Sequence, residues 1–124
     1  MKFLRNFEPV AYTLLRVVFG FLFACHGAQK LFGVLGGQAQ LHDRMILVGG
    51  IIELAGGALI ALGLLTRIAA FVSSGEMAFA YFWKHAHGSF FPIVNHGELA
   101  VIYCFVALFI ACHGAGQFAV QKDS

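Results

Sequence analysis

Residues 45–65 read MILVGGIIELAGGALIALGLL, an apolar run with one charge, Glu53, near its centre. A bilayer core takes about 20 apolar residues of α-helix, so this stretch has the length and composition of a membrane span. A charge in the middle of such a helix costs roughly 2.5–3.5 kcal/mol on insertion scales and is normally turned toward the protein interior. Gly49 and Gly50 precede Glu53 by one helical turn, and Gly56 and Gly57 follow it by one. Residues three and four apart share a helix face. The surface around the acid is therefore bare of side chains, and another backbone or a ligand can come close.

Working outward, three more apolar runs occupy about residues 10–32, 67–85 and 96–115. With 60% hydrophobic residues, 11% charged and a mean hydropathy of +0.82, the chain lies outside the range of ordinary soluble domains. The spans leave no room for a separate soluble domain. The expected architecture is all-α, a single membrane domain over residues 1–124 folded as a four-transmembrane-helix bundle. Pro9 suits the first turn of span one, where its missing N–H is unpaired anyway. Thr66-Arg67 makes the turn between spans two and three so tight that they must be antiparallel neighbours. HAHGSFFPIVN, residues 85–95, is broken by Gly88 and Pro92, and either lies at the interface or dips back in. Asn95 is the expected N-cap of span four, with Glu98 at capping-box spacing.

Eight basic and six acidic side chains give a net charge of +2, scattered without the basic patch that nucleic acid requires. Lys2, Arg5, Arg67 and Lys122 fall on one side of the spans, and Lys30, Arg44 and Lys84 on the other. The positive-inside rule then puts both termini in the cytoplasm of a multi-pass inner-membrane protein. Tyr12, Phe32, Trp83, Phe90 and Phe91 sit near span ends, as interfacial anchors do. Cys25, Cys104 and Cys112 lie in apolar segments and read as small packing residues rather than a disulfide framework. Arg16 interrupts the first apolar run, which argues against a cleaved signal peptide ending near Cys25. A faint repeat is visible: Arg16 and Arg67 start spans one and three, Lys30 and Lys84 end them, and Glu-Leu-Ala recurs at Glu53 and Glu98.

Arg16, Gly20, Phe23, Gly27 and Lys30 fall on one stripe of span one, with His26 bordering it. At 1.5 Å of rise per residue, His26, Lys30, Glu53 and Glu98 lie in the outer half of the bundle, bordered by His85, His87 and His96. Arg16 lies in the opposite half and Glu76 near the middle. The plainest reading is a set of buried ion pairs, Glu53 with Lys30 or Arg16 and Glu76 with another base, that fixes helix register. Glu98 reads as a cap.

Three functional readings compete with it. Glu53 and His26 could pass protons to a reducible ligand such as a quinone, with Arg16, Lys30, Glu76 and Glu98 binding or neutralising it. His85, His87 and His96 could bind a transition metal. Or the bundle could be a non-enzymatic anchor, in contact with membrane lipid, that recruits soluble redox proteins or assembles as a homo-oligomer.

With these residues laid out, the chain resembles the DoxX family of small four-helix bacterial membrane proteins over nearly its whole length. The matching stretches are LLRVVFGFLFACHGAQKLFG at 14–33, GGIIELAGGALIALGLLTR at 49–67 and NHGELAVIYC at 95–104. The ordered set His-Gly-x-x-Lys, Glu-x-x-Gly-Gly and Asn-x-Gly-Glu is more specific than any one of them. The resemblance implies an integral cytoplasmic-membrane protein associated with redox chemistry, the namesake branch being similar to a subunit of thiosulfate:quinone oxidoreductase. It points to Arg16, His26, Lys30, Glu53 and Glu98 as the pocket of an oxidoreductase subunit. No flavin or haem motif and no CxxC pair accompanies them.

Overall fold

The computed structural model describes residues 1–124 and is all-helical, with no strand. In chain order the helices are α1 (Lys2–Phe32), α2 (Arg44–Leu62), α3 (Thr66–Ala80), α4 (Pro92–Asn95) and α5 (Glu98–His113). A π-helical turn, Tyr81–His85, prolongs α3 and is closed by the Ala86 N–H on the Tyr81 carbonyl at 3.0 Å. Helices α1 and α2 are long and apolar enough to cross a membrane, and α5 is apolar but shorter.

Helix α1 begins at Lys2 rather than near Val10, with Pro9 inside it. Proline removes one N–H and its ring disfavours the preceding turn. That turn lies at an exposed end, and the Thr13 hydroxyl donates to the Pro9 carbonyl at 2.8 Å. The leading turns stack Phe3 on Phe7 at 6.5 Å. Lys2 and Arg5 in the same turns give the pattern of an interfacial helix.

Helices α1 and α2 pack backbone to backbone. A Cβ placed on Gly20 would stand 2.5 Å from the Ala61 nitrogen and 2.6 Å from the Gly57 carbonyl oxygen, and one on Gly27 2.6 Å from the Gly50 oxygen. Glycine alone fits this seam. Asp43 caps α2, its Oδ1 accepting from the Met45 and Ile46 amides at 3.0 and 3.4 Å. Losing such a cap costs about 1 kcal/mol, so Asp43→Ala is expected to lower the melting midpoint by a few degrees in a thermal scan. Gly33 and Gly63 end α1 and α2 in the left-handed region, at φ 68° and 77°.

Helix α3 packs along α5 and turns small buried residues inward, Ala69, Ala70 and Ser73, as α5 does with Ala100 and Ala107. The Ser74 hydroxyl donates to the Cys104 carbonyl at 2.8 Å, joining the two helices. The expected capping box at the start of α5 does not form. Pro92–Asn95 makes its own turn, ended by His96 at φ 63°, and α5 restarts with Gly97 at its cap position. Asn95 spends its side chain on that loop: Nδ2 donates to the Tyr81 hydroxyl at 2.9 Å and to the Ser89 carbonyl at 2.7 Å, and Oδ1 accepts from Gly97.

The chain ends gather at the opposite side. Arg16, 2% exposed, donates to the carbonyls of Ile60 at 3.0 Å, Phe118 at 2.9 Å, Ala61 at 3.4 Å and Ala115. Arg67 donates to those of Ala111, Cys112 and His113. An arginine of α1 thus caps α2 and an arginine of α3 caps α5, a structural counterpart to the repeat seen in the sequence. The tail beyond α5 crosses the α2–α3 turn, with Val120 and Gln121 amides on the Leu62 and Gly63 carbonyls at 3.1 and 3.0 Å. The Tyr12 hydroxyl donates to the Gly114 carbonyl at 2.6 Å.

Candidate functional site

Three ionisable side chains from three helices meet at the bare face of Gly49. A Cβ there would lie 3.5 Å from Glu53 Oε2, 3.6 Å from Glu76 Oε1 and 3.8 Å from Lys30 Nζ. The glycine frame around Glu53 thus divides its work. Gly50 and Gly57 admit helix α1, Gly56 faces Ser73, and Gly49 leaves room for the charges. Lys30 Nζ and Glu53 Oε2 form an ion pair of 2.5 Å, with Glu53 1% exposed and the lysine side chain 30% exposed. Glu76 is different. Both its carboxyl oxygens are buried, and neither has a hydrogen-bond partner.

Glu76 and Lys30 also border a cleft of about 360 Å³ between α2 and α3. Its walls are apolar, from Met45, Ile46, Val48 and Ile52 of α2 and Val72 and Phe79 of α3, continued by Trp83. Asp43 and Lys84 complete the lining. Phe79 and Trp83, one turn apart, stack at 5.8 Å with rings 14° from parallel. The volume falls in the usual range for small-molecule sites, as do apolar walls with a few converging polar groups. A broader depression by Gly116, Gln117, Phe118 and Lys122 is open and contains none of the expected residues.

Other expected members lie elsewhere. Arg16 is at the far end, and its donors are taken by backbone carbonyls, so it does not join Lys30 in a pocket. His26 makes no hydrogen bond to Glu53; its ring packs edge-on against Tyr103 at 5.6 Å, beside Phe19 and Phe23. Glu98 is exposed at the first turn of α5, where a negative charge suits the helix dipole.

His85, His87 and His96 are not gathered, and no set of three His, Cys, Asp or Glu side chains could hold a metal ion. His85 Nδ1 lies 3.2 Å from the Asn95 carbonyl, while His87 and His96 are exposed. Sequence reasoning missed Lys84 and Phe79 as lining residues and took Trp83 only as an interfacial anchor. The spacing of Phe79 and Trp83 was the one available signal.

An all-helical chain with an ion pair and an unpartnered carboxyl buried between apolar helices has the character of a membrane protein. The family profile described as DoxX matches residues 11–86, and the chain belongs to that family. It is similar to a Haemophilus influenzae protein described only as uncharacterized, 42% identical over 129 residues that cover 98% of this chain and 96% of the relative. No solved structure matches. Family membership supports a bacterial membrane protein in contact with lipid.

Proposed function

We propose that the protein is the membrane subunit of a redox system, crossing the bacterial inner membrane with α1, α2, the α3–π-turn unit and α5, both termini in the cytoplasm. It holds a quinone in the cleft between α2 and α3. The observation that carries this reading is the buried, unpartnered Glu76 carboxyl beside the Lys30–Glu53 pair at an apolar-walled cleft. Reducing a quinone to the quinol takes two electrons and two protons. The electrons come from a partner protein of the redox system; this chain supplies hydrogen-bond donors and passes the two protons one at a time through Glu76, which is reprotonated from water after each transfer. Lys30 and Lys84 are placed to donate hydrogen bonds to ring carbonyls, and Glu76 to exchange a proton with a ring oxygen. Glu53 holds Lys30 in position. Relative to the expectation from sequence, the proton-moving role passes from Glu53 and His26 to Glu76.

Protein purified in mild detergent, extracted and assayed for quinone tests this directly. Wild type is expected to retain quinone in a fixed ratio to chain. A hydrogen bond from the protonated Glu76 carboxyl to a neutral ring carbonyl is worth about 0.5–1.5 kcal/mol, or roughly two- to tenfold in affinity, so Glu76→Gln should lower the retained ratio by up to that factor. Wild type carrying no more quinone than an unrelated membrane protein from the same membranes would end the proposal and leave the anchor reading in its place.

A further inference from the structure

The oxygens of Glu76 are the buried side-chain polar atoms without a partner in this protein, and such atoms call for an explanation. What lies beside them is a second carboxyl, that of Glu53: a Cβ on Gly49 would touch both, Glu53 Oε2 at 3.5 Å and Glu76 Oε1 at 3.6 Å. Two ionised carboxylates are both acceptors and cannot bond to each other. Placed together out of water, they repel. One proton between them removes both difficulties: it turns one carboxyl into a donor and satisfies an oxygen of the other.

Charge balance gives the same count. The three groups at Gly49 are one ammonium and two carboxyls, which are neutral as a set when one carboxyl is protonated. A net charge among apolar helices is costly. The remaining charged groups nearby are Asp43 and Lys84 at the cleft lining, one of each sign, so they do not alter the balance. From α5, Tyr103 packs on Phe19, Phe23 and His26 and adds no charge as a phenol.

We infer that Glu53 and Glu76 form a proton-binding site, holding a single proton between their carboxyls with Lys30 as the fixed counter-charge. Glu76 lines the cleft and Glu53 does not, so the proton faces the cleft through Glu76. Lys30, partly exposed, is the member of the set in touch with the outside. Its ammonium pairs with whichever carboxyl is ionised. Transfer of the Glu76 proton to an acceptor oxygen in the cleft breaks one O–H bond and forms another, and leaves Glu76 as a second carboxylate facing Lys30. The cleft-facing role rests on the proposed function above; the presence of the proton does not.

Infrared spectroscopy on the purified protein in lipid nanodiscs at neutral pH reads the proton itself, as a protonated-carboxyl stretch that shifts on deuterium exchange. Wild type is expected to show one buried carboxylic acid per chain. Glu8, Asp43, Glu98 and Asp123 are all exposed, which distinguishes them in exchange rate. Glu76→Gln should abolish the band, because Glu53 stays paired with Lys30. Glu53→Gln should abolish it too, because Glu76 takes over Lys30. Lys30→Met should double it. Absence of the band in wild type, which needs no variant to fold, overturns the inference, as does a band of full strength in both glutamine variants. Quinone retention is a separate readout: a band without bound quinone keeps the proton site and removes the quinone role, whereas quinone without a band does the reverse.

Discussion

Arg16→Met is expected to lower the melting midpoint of the detergent-solubilised protein by roughly 10 °C or more, the largest loss of any substitution considered. The guanidinium is buried and is the donor for carbonyls at Ile60, Ala61, Ala115 and Phe118. Methionine fills much of the same volume but donates nothing. Ile60 keeps the Gly63 N–H, but the carbonyls of Ala61, Ala115 and Phe118 lose their donor where water is scarce, at about 1–3 kcal/mol for each orphaned group. Arg16→Lys should recover only part of the loss, since one ammonium cannot reproduce the planar fork. A thermal scan followed by circular dichroism checks both variants. A midpoint for Arg16→Met within a degree or two of wild type would show that the carbonyls find other donors. Quinone retention at equal folded fraction should be unchanged, because Arg16 is remote from the cleft.

The second large effect is at Gly57, where a single methyl group is expected to be damaging. Its Cβ would sit 2.5 Å from the Gly20 oxygen and 2.9 Å from the Ala24 α-carbon, both backbone atoms of α1. Neither can turn aside as a side chain could, so the helices must move apart. Overpacking of this kind costs about 1–3 kcal/mol, and here it also displaces Lys30 on α1 from Glu53 on α2. Gly49→Ala is the contrast. Its nearest neighbours would be side-chain atoms at 3.5–3.8 Å, ordinary contact, and alanine is favoured over glycine in a helix by about 1 kcal/mol. Gly57→Ala should therefore melt well below wild type and Gly49→Ala at or slightly above it. Equal midpoints for the two would refute the close α1–α2 seam.

Much of this contrast could be read from the chain itself. Glycines spaced three and four around one acid identify a close-approach face, and depth along the helices brings Lys30 level with Glu53. The choice of which glycine serves which neighbour could not be read, because it depends on how α2 is rotated about its own axis. The same rotation decides that Glu76 meets Glu53, and no residue in the short α2–α3 turn encodes it. Arg16 was read at the right depth but given the wrong partners, for another reason. Its partners are backbone carbonyls, and Ala115 and Phe118 have no side chain that announces an acceptor. The start of α5 misled because Asn95 does have capping chemistry, but Tyr81 and Ser89 fourteen and six residues earlier compete for it.

The Arg16 site also has a consequence for how the chain is made. Two of its acceptors, Ala115 and Phe118, are separated from it by 99 and 102 residues. When the ribosome has produced α1 and α2, the guanidinium can find only the Ile60 and Ala61 carbonyls. It waits, half satisfied, through synthesis of α3 and α5. The final packing of the first helix is thus set by residues translated about a hundred positions later, so a nascent chain stalled before position 115 would carry an arginine with carbonyl partners still missing. Quality control acting on unfinished membrane proteins would have such an arginine to recognise.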